Sequence, residues 1–168
     1  MLVDENAAAP EQGGAIADRS GRAGGATVAM AEHPSIDVFR RAYAAFTAGD
    51  MAELGELFAE DVVWHTPGRN PMSGDHRSRE ATFESFAREF ELSGGTYSPE
   101  IHDILANDEH TVALLHVTAR RNAKTLDQDY ALVLHIRDGQ ITEAWEIWTD
   151  EAAWDEFWSQ FGRVLLVH

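Results

Sequence analysis

The chain has 168 residues, 44% hydrophobic and 25% charged, with 29 acidic against 13 basic side chains and a formal net charge of −16. That length holds one core and a tail, and that charge repels phosphate backbones and anionic membrane surfaces, so nucleic acid and membrane are not expected partners. The chain has no cysteine, which excludes disulfide scaffolds, thiolate zinc sites and cysteine nucleophiles together.

No apolar run approaches the ~18–20 residues of a membrane span, and the opening residues lack the basic and apolar regions of a secretory signal. A cytoplasmic location is expected. Residues 1–33 are rich in Ala and Gly and hold little apolar area to set against the entropy of ordering, so they are expected to form a disordered tail. Ile36, Phe39, Tyr43 and Phe46 then recur at helical steps behind a candidate N-cap, Ser35, and the helix should end at Gly49. Asp50 caps a second, shorter helix with Met51, Leu54, Leu57 and Phe58 on its apolar face. Residues 62–65 suit a short strand, and 69–77 a polar loop. A third helix follows from Ser78, with Phe83, Phe86 and Phe90 on one side and Gly94-Gly95 as its terminator.

The period then changes. Segments 97–106, 111–121, 125–137 and 140–149 each suit a strand, and Asp138-Gly139 is a strong hairpin signal. Trp154, Phe157, Trp158 and Phe161 return to helical spacing. The domain is placed at 34–162, with 163–168 as a C-terminal extension left without assignment. The predicted class is α+β: three N-terminal helices packed on a curved, mostly antiparallel sheet, making a cone whose mouth holds a small-molecule pocket.

Strand alternation puts His116 and Thr118 on one face of their strand, with Val112 and Leu114, and groups Glu146 with Thr142, Ala144 and Trp148 on one face of theirs. A His and a Glu facing one covered cavity would act as a base with an orienting acid, the carboxylate raising the imidazole pKa. The plainer reading makes Glu146 a solvated strand residue and His116 a satisfied core histidine. Trp64 and Trp148 suit pocket walls or ordinary core, Gln128 and Tyr130 offer hydrogen bonds, and His65 has the parity to face away. The eight histidines form no HExxH or HxH spacing, so no metal is expected. No phosphate loop and no serine nucleophile elbow is present.

Three phrases carry a family likeness: Ala44-Ala45-Phe46-Thr47-Ala48-Gly49-Asp50, the run from Leu57 to Trp64, and Arg137-Asp138-Gly139-Gln140-Ile141. With the element order over 36–158, the chain resembles the nuclear transport factor 2-like superfamily and, within it, the SnoaL-like group. The resemblance implies a cone-shaped α+β barrel. It also implies a choice among ketosteroid isomerases, polyketide cyclases, scytalone-type dehydratases, limonene-epoxide-type hydrolases and members without catalysis. The isomerase base position holds Thr66, its oxyanion-hole Tyr position Ala42, and its protonated Asp position, shared with the cyclases, Leu132. Both of those mechanisms are therefore disfavoured in their usual form. The hydrolase Asp-Arg-Asp seats hold His116, Thr118 and Glu146, and its Tyr and Asn seats hold Trp64 and Thr66.

The resulting expectation is cofactor-independent acid–base chemistry on a small hydrophobic substrate: isomerisation, cyclisation, dehydration or epoxide hydrolysis. His116 and Glu146 are the candidate catalytic residues; Trp64, Thr66, Thr118, Gln128, Tyr130, Leu132 and Trp148 are the candidate binding residues. The alternative is a ligand-binding or dimeric association module of the same fold without chemistry. The resemblance further implies a homodimer paired through the outer faces of the sheet.

Overall fold

The computed structural model describes residues 31–160. Most of the expected tail and the whole of the 163–168 extension lie outside the described residues. The element order is α1 (Pro34–Ala48), α2 (Met51–Leu57), β1 (Phe58–Thr66), β2 (Gly74–Arg77), α3 (Arg79–Leu92), β3 (Ser98–Ala106), β4 (Thr111–Arg121), β5 (Lys124–Arg137), β6 (Gln140–Trp148) and α4 (Glu151–Trp158). The α+β class stands, with three helices ahead of the meander and a fourth closing it.

Local chemistry accounts for the helix ends. Pro34 sits in the first turn of α1, where its missing N–H costs nothing, and the N-cap is His33 rather than Ser35. Ser35 is instead buried inside the first turn, where its hydroxyl accepts from Thr111 Oγ1 at 2.8 Å. Gly49, at φ 68°, ends α1 in the left-handed conformation that glycine adopts without strain. Asp50, Ser78 and Asp150 cap α2, α3 and α4, each accepting the N–H three residues on.

The sheet order is β2-β1-β6-β5-β4-β3, antiparallel throughout except for the parallel pair β1/β6. The segment expected as an uninterrupted polar loop contains β2, a polar edge strand with no apolar alternation to announce it. Register shifts beside His102 in β3 and Thr142 in β6 mark bulges, which bend strands and support the sheet's curvature. The sheet stays unclosed. Its inner face carries Ala113, Leu115, Leu126, Tyr130, Leu132, Ala144 and Trp148, which share one core with Phe39, Ala42, Leu54 and the fully buried Trp154 and Trp158.

α4 is strapped across one end of this core. Asp155 Oδ1 accepts from the Arg69 N–H and from Asn70 Nδ2, both at 2.7 Å. A Cβ on Gly68 would collide with that carboxylate, so the approach requires glycine. Within the same C-terminal half of α4, Lys124 Nζ donates to Glu156 O at 2.6 Å and Arg121 Nη1 donates to Phe157 O at 3.1 Å, satisfying terminal carbonyls with positive charge. Among the described residues no helix is long and apolar enough to cross a membrane.

Candidate functional site

The helices and the inner sheet face enclose a cavity of about 60 Å³. Its walls are mostly aromatic and aliphatic, with Phe39 and Phe46 from α1, Phe58 and Trp64 from β1, Phe86 from α3, and Leu115, Leu132 and Ile141 from the sheet. Two carboxyls line it, Glu89 and Glu146, together with Tyr43, Tyr97 and Tyr130.

Glu146 is held by three neutral donors. Trp64 Nε1 donates to Oε1 at 2.6 Å, Thr66 Oγ1 to the same oxygen at 3.1 Å, and Trp148 Nε1 to Oε2 at 3.0 Å. Burial raises its pKa above the ordinary 4.5, while these three donors favour the ionised form and pull it back down. Glu89 is 3% exposed and has no such partners. Burial, and then the Glu146 charge, raise its pKa well above 4.5. The two carboxyls therefore differ in kind: one is furnished with donors as an anion, and the other is favoured as a neutral acid. Burial also raises the phenols of Tyr97 and Tyr130, which perturb one another and both feel the two carboxyls.

Behind Glu146 the rings form a stack. Trp148 lies between Tyr130, with ring centres 4.3 Å apart, and Trp154 at 3.9 Å, both nearly parallel to it. The indole that orients Oε2 is thus fixed from both sides.

The profile of the SnoaL-like domain family matches residues 39–144. The chain belongs to the SnoaL-like family. This SnoaL-like protein is 33% identical over 131 residues to the uncharacterized protein Rv0034 of Mycobacterium tuberculosis, covering 77% of this chain and all of that one. It is similar to the structure of Bal32a from a soil-derived mobile gene cassette, with 40% identity, a TM-score of 0.71, and coverage of 73% of this chain and 95% of that one. A nuclear transport factor 2-like protein of Burkholderia xenovorans shares the fold at 22% identity and TM-score 0.65, over 74% and 95% of the two chains.

The structure of the SnoaL-like protein brings part of the expected site together. Trp64, Thr66, Glu146 and Trp148 form one hydrogen-bonded group, and Tyr130 and Leu132 line the cavity beside it. Gln128 points to the same side, but its Oε1 accepts from the Asp150 N–H at 2.9 Å and from Thr149 Oγ1, which ties β5 to the start of α4.

His116 and Thr118 are misplaced by the expectation. The buried positions of β4 are Thr111, Ala113, Leu115, Val117 and Ala119, so both residues stand on the outer face. His116 does not meet Glu146. It lies between Asp129, 2.7 Å from Nδ1, and Asp127, 3.0 Å from Nε2, and Asp129 first among them raises its pKa. The signal against the inward reading was Arg120, which shares that face.

The residue missed altogether is Glu89. It follows Phe86 by three positions on α3, on the stripe that also buries Thr82 and Ser85. A carboxyl in register with core positions is the signature that would have found it.

His65 faces outward, as its parity implied. It bridges Asp75 at 2.7 Å and Glu143 at 2.9 Å, and its ring stacks on Trp145. Burial lowers its pKa, but Glu143 and Asp75 outweigh that and hold it above 6.5. Its contribution to stability is therefore complete below the unfolded value near 6.5 and fades as pH rises through the raised folded value. His65→Gln should lower the melting temperature more at pH 6 than at pH 9. Calorimetry at the two pH values checks this, and equal losses would show that His65 is not held as a cation.

Proposed function

We propose that the cavity carries out acid–base chemistry on a small hydrophobic molecule, with Glu146 as the carboxylate that takes a proton and Glu89 as the acid that gives one. The observation that carries this reading is the pair itself: two buried carboxyls with unequal hydrogen bonding, facing one aromatic-walled cavity. Pairs whose surroundings push their proton affinities apart are how one site supplies acid and base at the same pH. Trp64, Thr66 and Trp148 orient Glu146, and Tyr130 and Leu132 shape the wall against which the substrate lies. His116 and Thr118 have no part in this site.

Proton abstraction beside a carbonyl is the simplest reaction such a pair performs. Glu146 would remove the proton from carbon while Glu89 donates one to the carbonyl oxygen, leaving an enol. Glu146 then exchanges its proton with solvent, returns a deuteron to carbon in D₂O, and Glu89 takes its proton back from the enol oxygen. The test is hydrogen–deuterium exchange at the carbon atoms flanking the carbonyl of 2-tetralone in D₂O, followed by mass spectrometry. Exchange faster than buffer alone is the expected result. Binding of 2-tetralone without faster exchange would favour the alternative of a ligand-binding module.

A homodimer rests on a separate observation. Of the four exposed large hydrophobic side chains among the described residues, Leu105, Leu114 and Ile147 stand on the outer sheet face, and only Met51 does not. Leu114, Ala131 and Ile147 pair across β4, β5 and β6 as one row, beside a second row of Leu105, Val112, Val133 and Trp145. Contiguous apolar surface of this kind marks an association face. Ile147→Glu should convert a dimer to a monomer in sedimentation velocity. A wild-type monomer at micromolar concentration would contradict this assembly.

A further inference from the structure

The Glu89 carboxyl lines the cavity, is 3% exposed, and has no hydrogen bond to any described residue. Glu146 lines the same cavity, and its three donors are two indoles and a hydroxyl, all uncharged. No Lys, Arg or His is among the lining residues. Two carboxyls therefore share a cavity of about 60 Å³ without a counter-charge. Aromatic rings wall it, with Trp64 packed edge-on against Phe86 at 4.9 Å and stacked with Phe58 at 6.1 Å.

We propose that this cavity binds hydrophobic ammonium ions, the cationic head seated between Glu89 and Glu146 and the apolar body against the surrounding rings. The inference rests on the two-carboxyl site described above and names a ligand class for it. An ammonium group brings three N–H donors, which serve the unpartnered Glu89 and the free acceptor capacity of Glu146 together. Ring faces attract a desolvated cation, and the surrounding charge of −16 draws it in. An anion of the same shape meets Glu146 and is repelled. A neutral molecule of the same shape supplies no counter-charge.

Proton balance follows from the same geometry. Without ligand, the pair holds a proton on Glu89, because two carboxylates in one apolar cavity repel. When the ammonium enters, Glu89 ionises and its proton passes to solvent, so two carboxylates face one cation. The groups facing the pair are Tyr43 from α1, Tyr97 ahead of β3 and Tyr130 from β5, all uncharged near neutral pH. Affinity for the ammonium should thus increase as pH rises toward the titration of Glu89 in the free protein. With both carboxyls ionised no acid remains, so the ion is a ligand of the site and not its substrate.

Benzylamine, benzyl alcohol and benzoate are matched probes, compared by isothermal titration calorimetry at pH 7. Benzylamine should bind at least roughly tenfold tighter than benzyl alcohol, and benzoate should show no binding. Repeating the benzylamine titration in buffers of different ionisation enthalpy should reveal net proton release. In Glu89→Gln the net proton release on benzylamine binding should disappear, because the group that gives up the proton is gone while the Glu146 carboxylate remains to face the cation. The proposal is overturned if the alcohol binds as tightly as the amine in the wild type, if no probe binds, if no proton is released, or if the same proton release survives in Glu89→Gln. These readouts need no turnover. Failure of the amine preference leaves the proton-transfer reading intact, and absent exchange on 2-tetralone leaves ammonium binding intact.

Discussion

Replacing Glu146 with Gln should slow exchange on 2-tetralone by about 10²- to 10⁴-fold, the usual contribution of a positioned general base. The substitution preserves the side chain's shape and removes its charge. The amide oxygen can still accept from Trp64 and Thr66, which share one acceptor in the native protein. The amide nitrogen then opposes the Trp148 N–H, which donates to the other oxygen. One hydrogen bond is lost and two are kept, so folding should survive while basicity disappears. Circular dichroism and a cooperative melt establish the fold, and mass spectrometry establishes the rate. Exchange at the wild-type rate in a folded variant would remove Glu146 from the base role.

The largest loss of stability is expected from Trp154→Ala. Trp154 is fully buried, its ring stacks on Trp148 at 3.9 Å, and Trp158 packs against its edge. Truncating a buried Trp to Ala costs about 3–5 kcal/mol through lost transfer energy and the cavity left behind. In a domain of this size that lowers the melting temperature by roughly 10–20 °C. Trp154→Phe is the informative control. The Trp154 indole N–H is buried without an acceptor among the described residues, so Phe keeps a stacked ring and discards an unpaired donor. Its loss should be below about 2 kcal/mol. A Phe variant as unstable as the Ala variant would mean that stacking on Trp148 is not what Trp154 contributes.

The two variants also connect the fold to the site. Trp148 orients Glu146 Oε2 and is itself clamped between Trp154 and Tyr130. The placement of α4 is therefore part of how the carboxylate is aimed.

How far the sequence reading reached depended on which physical signal each element carried. The helices were legible because Ile36, Phe39, Tyr43 and Phe46, and then Phe83, Phe86 and Phe90, repeat at three- and four-residue steps beside capping residues. The antiparallel meander was legible from its period and from Asp138-Gly139. β2 was not, because Gly74, Asp75, His76 and Arg77 bury no apolar face and owe their conformation to pairing with β1.

The site was half legible for a reason specific to β4. Its two faces are nearly equal in hydrophobicity at the start, with Val112 and Leu114 on one and Ala113 and Leu115 on the other. The inward assignment followed the hydrolase seats of the resemblance, but the buried positions are Ala113, Leu115, Val117 and Ala119. A slip of one position exchanges the faces. His116 therefore left the site, and Asp129, directly across on β5, and Asp127, diagonally across beside Thr118, became its partners. Glu146 stayed because Ala144 and Trp148 share its side, and their burial agrees. Glu89 was missed because a helix carrying several carboxylates is read as solvated on the face that bears them, and only its register with Phe86 distinguishes it.

The central claim is that Glu89 and Glu146 form an interacting pair inside the cavity, with Glu89 the neutral partner. Carbon-13 NMR titration of the two side-chain carboxyls, in the wild type and in Glu146→Gln, tests this most directly. Glu89 should remain protonated well above the ordinary 4.5 in the wild type, and should titrate lower in the variant because the neighbouring charge is gone. A Glu89 that ionises near 4.5, or whose titration is unmoved by Glu146→Gln, would contradict the pair.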